Sequence, residues 1–265
     1  MVHGNKVNAI REYYVCKSNE LIQKGRYNLT TQQQKIILFA ISKIKKNDDP
    51  RQVYDISIDE LCAACELEID AGGTYYHRIK QDLHKLTNRL WVQFPDNSEG
   101  TISWLSDAYI IPLSGTVQVR FHEKLWPYLF DLREKYTQYH LSEVLVFKNK
   151  YAVRFFEIIR SHFTQQELDE GIEKSITMSV DQVRELLCVT GYASFGELER
   201  NVIRKALDEI NQYSEQMNVT YEKIKTGAKV DKIRFIVTAP NMGEKMQRYG
   251  NSKKRMTNKK GKSAE

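Results

Sequence analysis

One order of elements occurs twice in this chain, about 120 residues apart, and that doubling limits what the chain can fold into more than any other feature. The first copy reads Ile56-Ser57-Ile58-Asp59-Glu60-Leu61, then Tyr75-Tyr76-His77-Arg78-Ile79-Lys80-Gln81-Asp82-Leu83, then alternating apolar residues. The second reads Met178-Ser179-Val180-Asp181-Gln182-Val183, then Arg200-Asn201-Val202-Ile203-Arg204-Lys205-Ala206-Leu207, then alternation again. Ser57 and Ser179 lie 122 residues apart, whereas Ile79, Leu83 and Leu86 map onto Ile203, Leu207 and Ile210 at an offset of 124. Two extra residues in the intervening turn reconcile the offsets. Identity between the copies is weak, and it is the order of elements that repeats.

Helix, helix, hairpin is the pattern of a winged helix, a module whose first use is reading nucleic acid. Ahead of the first copy, Thr30 or Thr31 can cap a helix with the stripe Ile36, Ile37, Ala40, Ile41 and Ile44, which Asn47-Asp48-Asp49-Pro50 ends. Residues 53–58 read as a strand, Asp59 starts a helix through Leu67, and Thr74 can cap a helix to about Leu90. On that helix Ile79, Leu83, Leu86 and Leu90 mark one buried face. Residues 91–94 and 102–105 then read as paired strands, with 116–121 as a further strand, and this hairpin is the expected wing. Pro127 suits the first turn of a helix. A helix over 150–163 has Phe155, Ile158, Ile159 and His162 on one face. An acidic loop is expected over 165–175 and a helix over 180–187. Gly191 closes that segment and Ser194 caps the next helix, whose stripe is Leu198, Val202, Ala206 and Ile210, widened by Ile203 and Leu207. Strands 219–224 and 233–237 form a second wing tipped with Lys225 and Lys229.

The expected fold class is therefore α+β: two tandem winged-helix domains related by pseudo-two-fold symmetry, followed by a disordered basic C-terminal tail. The boundaries are 1–140 for an N-terminal domain of dimerisation and DNA contact, 141–240 for a C-terminal domain that does the main DNA reading, and 241–265 for the tail. No Pro/Gly/Ser linker marks the boundary, so the domains are expected to lie close together.

Composition narrows the function classes. A chain of 265 residues with 41% hydrophobic and 11% aromatic residues can bury two cores. No run of 18 apolar residues and no signal-like N-terminus are present, so a cytoplasmic location is expected. The net charge of +6 is carried by the tail, where Lys245, Arg248, Lys253, Lys254, Arg255, Lys259, Lys260 and Lys262 outnumber Glu244 and Glu265. Such a tail either lies along phosphates and releases counterions or serves as a solvated extension. Cys62 and Cys65 form a lone C-x-x-C whose simplest reading is two small core residues one helical turn apart. His77 and His84, the histidines that follow, are seven residues apart and complete no metal set. No phosphate-binding glycine loop, paired metal-binding histidines or D-x-D cluster occurs, and a tyrosine nucleophile would lack a base or metal. No catalysis, cofactor or metal is expected.

A helix that packs on one side and reads DNA on the other keeps a usable polar face. In the second copy that face carries Arg200, Asn201, Arg204 and Lys205; Arg suits guanine edges and phosphates, and Asn suits adenine. Glu197, Glu199, Asp208 and Glu209 share the helix, so a solvated face with internal ion pairs is the alternative, and the basic wing beside it tips the balance towards DNA. In the first copy Tyr75, Tyr76, Arg78, Lys80 and Gln81 interleave aromatic and polar groups and are candidates for sugar, phosphate and base contacts; His77 and Lys85 are outward too. A dimer contact on this surface is the alternative.

At these residues the chain resembles plasmid replication initiators of the iteron-binding type, the family of RepB, RepE and Pi. The resemblance rests on Tyr139-x-Leu141, the run from Asn149 to Ile159, Tyr192-x-x-Phe195-x-x-Leu198-x-Arg200-x-Val202-Ile203, and Glu209-Ile210-Asn211. Val219-x-Tyr221-x-x-Ile224-Lys225-x-Gly227-x-Lys229-Val230 and Ile233-x-Phe235 follow, and the first half contributes Leu29-Thr30-x-x-Gln33-x-x-Ile36. It spans about residues 5–240 and excludes the tail. It implies two winged helices, monomer binding to directly repeated origin sites, and repression of the initiator's own promoter by a dimer formed through the first domain. It also implies contacts with a host helicase or helicase loader, and no catalysis. A dedicated double-winged-helix repressor, an origin nickase and a winged-helix interaction scaffold are the competing readings.

Overall fold

The computed structural model describes residues 13–240 apart from 66, 68–73, 89, 94–95, 97, 112–113 and 171–172. The basic tail falls outside the described residues. β1 (Tyr14–Ser18) runs into α1 (Asn19–Lys24), whose cap Ser18 accepts from the Leu21 N–H at 3.1 Å. Thr30 and Gln33 form a reciprocal capping box that starts α2 (Thr31–Ile41). Every residue of α2 from Gln33 to Ile41 is buried, so the apolar stripe understates its position: it is a central helix, wrapped on all sides. Asn47, at φ 71, turns the chain before Pro50, a conformation asparagine adopts more readily than most residues.

β2 (Tyr54–Ser57) passes into α3 (Ile58–Ala64) through the Ser57 cap, and α4 (Thr74–Thr87) follows with Ile79, Leu83 and Leu86 buried. β3 (Leu90–Gln93) and β4 (Glu99–Ile102) then pair as a separate two-stranded hairpin, while β5 (Leu105–Ile111) and β6 (Thr116–Phe121) join β2 in the order β2-β6-β5. The first wing is thus β5–β6, one hairpin later than the sequence suggests. Residues 102–105 do not make a single strand, because the Trp104 N–H donates to the Leu86 carbonyl at 3.1 Å and its ring is buried there, which separates β4 from β5.

α5 (Trp126–Leu129) has Pro127 in its first turn, and β7 (Tyr136–His140) returns antiparallel to β1. α6 (Ser142–Leu145) and α7 (Lys150–Arg160) follow. His162 lies past the end of α7 and is exposed, not on the buried face with Phe155, Ile158 and Ile159. The segment expected as an acidic loop contains α8 (Gln165–Asp169), held by a Thr164–Glu167 capping box, and the start of β8 (Lys174–Ser179). Ser179 caps α9 (Val180–Leu186), which stops at Leu187 and Cys188 (φ 50) rather than at Gly191. Ser194 caps α10 (Phe195–Leu198), which continues through a π-helical turn, Glu199–Ile203, into α11 (Arg204–Tyr213). β9 (Asn218–Thr226) and β10 (Lys229–Thr238) complete a sheet in the order β8-β10-β9.

The two copies are topologically equivalent: a strand, its serine-capped helix, a longer helix and a hairpin whose second strand lies in the middle of the sheet. Each residue matched by sequence offset takes the same place. Ser57 and Ser179 cap α3 and α9, and Ile79, Leu83, Leu86 and Ile203, Leu207, Ile210 are all buried.

α7 is the shared element. It packs on α11 on one side and on α2 and α1 on the other. Where it meets β1, a charged cluster lies inside the protein. Lys17 Nζ donates to both Glu157 carboxylate oxygens at 2.8 and 3.0 Å, and Tyr139 donates to Glu157 Oε1 at 2.8 Å. Arg154 approaches Glu157 at 3.5 Å and donates to Tyr27 and to the carbonyls of Ile22 and Gly25. Burial alone would raise the Glu157 pKa; the Lys17 and Arg154 charges outweigh it and hold the carboxyl below its ordinary value. Two more carboxylates tie the second copy to the segment ahead of α7. Glu209 of α11 accepts from the backbone N–H of Lys148 and Asn149 at 3.0 and 3.1 Å, and Glu143 accepts from Ser214 and the Glu215 N–H at 3.0 and 3.1 Å.

Candidate nucleic-acid interface

The polar face of the second copy survives folding intact. Arg200, Arg204 and Lys205 are exposed and Asn201 is half-buried on the side of the helix opposite Val202, Ile203 and Ala206. The acids that seemed to offset these cations are mostly engaged elsewhere. Glu197 closes the capping box with Ser194, Glu209 binds the backbone ahead of α7, and Glu199 is buried. Asp208 stays exposed. The outward face is therefore cationic although the helix as a whole is not.

Glu199 joins that helix to the wing. Its carboxylate accepts from the Tyr221 hydroxyl at 2.6 Å and from Lys223 Nζ at 2.8 and 2.9 Å, and lies 3.5 Å from Arg204. Burial works to raise its pKa, and the Lys223 and Tyr221 hydrogen bonds with the Lys223 and Arg204 charges bring it below the usual carboxylate value. Lys223 also stands over the Phe195 ring at 5.6 Å. The π-helical turn begins at this glutamate, and the Arg204 N–H closes it onto the Glu199 carbonyl. The extra residue in that turn lets Leu198, Val202, Ala206 and Ile210, spaced by four, stay on one side where an ordinary α-helix would let them drift. Sequence reasoning missed Glu199, Tyr221 and Lys223. A signal existed, since Tyr221 and Lys223 share strand parity with buried Val219 and hence face the helix.

The second wing is basic. Lys225 and Lys229 are exposed on either side of the turn, where Gly227 takes φ 63, and Lys223, Lys232 and Arg234 lie along the hairpin among Glu222 and Asp231. The first copy differs. On α4 Tyr76, Arg78, Lys80 and Gln81 are exposed with His77, His84 and Lys85, whereas Tyr75 is half-buried against the core. Gln33 donates to Asp82 at 3.0 Å and anchors the helix to α2. Its wing carries little charge: Asp107 and Arg120 pair with each other at 3.2 Å, and Tyr109 and Ile111 are exposed on β5. Among the described residues, cationic hairpin and cationic helix thus coincide in the second copy and not in the first.

Cys62 is buried in α3 and Cys65 is its C-cap, with burial pushing their thiols up to about 11 and about 12. Among the described residues no group of three or more His, Cys, Asp or Glu side chains is placed to hold a metal, and no helix is long and apolar enough to cross a membrane.

Two winged helices in series, each presenting a helix face and a hairpin to solvent, place the chain in the class of tandem winged-helix proteins. Its residues 14–160 match the family described as Initiator Replication protein, WH1, and residues 179–237 match Initiator Rep protein, WH2. The chain belongs to this family and is a replication initiator protein. A replication initiation protein of Escherichia coli is 27% identical over 230 residues, covering 85% of this chain and 70% of the relative. The crystal structure of Pi initiator protein in complex with iteron DNA shares the fold with a TM-score of 0.70, at 18% identity, over 87% of this chain and 99% of that one.

Proposed function

We propose that this initiator binds directly repeated duplex sites at a plasmid origin, one monomer per repeat, with both winged helices on one face of the DNA. The observation that carries this reading is the exposure of Arg200, Arg204 and Lys205 on a helix packed against the hairpin that exposes Lys225 and Lys229. A helix face that fits the major groove lies beside a hairpin that fits phosphates. The relative solved with iteron DNA supports the same reading. In this scheme Arg200, Asn201, Arg204 and Lys205 read bases, with Arg78 and Gln81 as their counterparts in the first copy. Tyr75, Tyr76, Lys80, Lys225 and Lys229 position the backbone. Repression of its own promoter by a dimer formed through the first domain, contact with a host helicase or helicase loader, a cytoplasmic location and the absence of any covalent step complete the proposal.

Footprinting on the DNA that flanks the gene tests it. The expected result is protection of tandem repeats, each about two helical turns or roughly 20 base pairs long. Protection of a lone operator with no repeats would favour a dedicated repressor. Relaxation of supercoiled DNA in the presence of a divalent metal would reveal a nickase.

A further inference from the structure

We infer that Glu199 is the positioning residue of this interface: by gripping Arg204, Tyr221 and Lys223 together it sets the helix and the wing root in one arrangement, and so confers sequence discrimination rather than affinity. This inference rests on the duplex-binding reading above. The geometry is unusual for a DNA-facing surface, because a carboxylate next to phosphates weakens attraction. Yet Glu199 is only 8% exposed and has partners on two elements: Tyr221 and Lys223 on β9 and Arg204 on its own helix. Arg204 and Lys223 keep 60% and 41% of their side-chain surface in solvent, so both remain free to meet DNA while one end is steered.

Without the carboxylate the two cations would repel each other, and each long side chain would sample many rotamers. A guanidinium held in place loses less freedom when it forms a bidentate contact with a base edge. The π-helical turn serves the same arrangement, since it begins at Glu199 and closes at Arg204 and so fixes the two residues relative to each other. The carboxylate therefore acts in opposite directions on the two kinds of binding. It lowers attraction for any duplex and raises preference for the right one.

The test compares wild type, Glu199→Gln and Tyr221→Phe. The probes are the duplex that wild-type protein enriches from a randomised library about 20 base pairs long and a scrambled duplex of equal composition, with thermal melting as a check on folding. Glu199→Gln is expected to bind the scrambled duplex more tightly than wild type and to lose about tenfold of the preference for the enriched one, the worth of one base contact. Tyr221→Phe keeps the charge and removes the hydroxyl that bonds both Glu199 and Arg204, so its preference falls by a smaller factor, without the gain in scrambled binding expected of Glu199→Gln. If both duplexes gain equally in Glu199→Gln, the carboxylate is a plain repulsive charge and the inference fails. If both are lost with a lower melting temperature, Tyr221→Phe decides, and an unaltered preference there overturns the positioning role. If wild-type protein enriches no sequence, the duplex-reading proposal itself falls, a result distinct from either of these.

Discussion

Replacing Glu157 by glutamine keeps the volume of the side chain and removes its charge, leaving the Lys17 ammonium and the Arg154 guanidinium inside the protein. Both members of the Lys17–Glu157 pair are 2% exposed, so solvent screens almost nothing, and the two contacts of 2.8 and 3.0 Å are lost as charge-to-charge bonds. Removing one partner of a buried pair costs about 3–5 kcal/mol, most of it the penalty of the abandoned charge. Lys17→Met alone should cost less, because the Arg154 guanidinium and the Tyr139 hydroxyl still face the carboxylate. The double variant removes both charges of the pair, so its loss should fall short of the two single losses added together by about 1–3 kcal/mol, the usual coupling of residues in contact. Urea unfolding followed by circular dichroism and tryptophan fluorescence measures all four proteins; Trp104, which packs edge-on to Tyr27 at 4.8 Å, reports from beside the cluster. A single-variant cost below about 1 kcal/mol, or additive losses in the cycle, would refute the reasoning, since either would mean that Lys17 finds water or another anion when Glu157 is neutral.

The same carboxyl predicts a pH dependence. Its folded pKa is depressed, so its contribution to stability is complete above the ordinary glutamate value and disappears as pH falls through the lower folded value. Melting temperatures of wild type and Glu157→Gln should therefore converge in acid and diverge towards neutrality. The Arg200→Ala, Arg204→Ala double variant should weaken binding to a preferred duplex more than to a scrambled one, by about 1–3 kcal/mol per lost base contact; an equal loss on both in gel-shift titrations counts against base reading. Lys225→Ala with Lys229→Ala should weaken binding to all duplexes alike and reduce the salt slope by about two. Truncation after Pro240 should likewise flatten the salt dependence and leave the preferred sequence unchanged.

Local signals made much of this fold legible. Serine and threonine caps identified helix starts at Thr30 and Ser194, and the spacing of Ile79, Leu83 and Leu86 and of Ile203, Leu207 and Ile210 marked the buried faces in both copies. Hairpin assignment in the first copy failed because residues 102–105 look uniformly strand-like, while a tertiary bond from Trp104 to the end of α4 breaks them. α8 was missed although its Thr164-x-x-Glu167 signature was present, because acidic residues and glycine around it suggest a loop. The outward cations of α10–α11 were legible from helical periodicity. The fate of Glu199 and Glu209 was not, since the partners that absorb them lie on β9 and in the turn before α7, whereas that of Glu197 was written locally in Ser194-x-x-Glu197. The Lys17–Glu157 cluster joins residues 140 positions apart and has no local trace at all.

The junction around α7 has a geometric consequence for the DNA. Hydrogen-bonded carboxylates tie it to both winged helices, so on the proposed duplex-binding reading the protein behaves as a gauge of fixed span. One base pair inserted between the two halves of a site turns the second half by about 34° around the duplex axis. A stiff gauge cannot follow that rotation, and the helix must twist or bend to meet it. Mis-phased sites should thus be penalised through DNA distortion, and the spacing within each repeat should be as strictly kept as its bases.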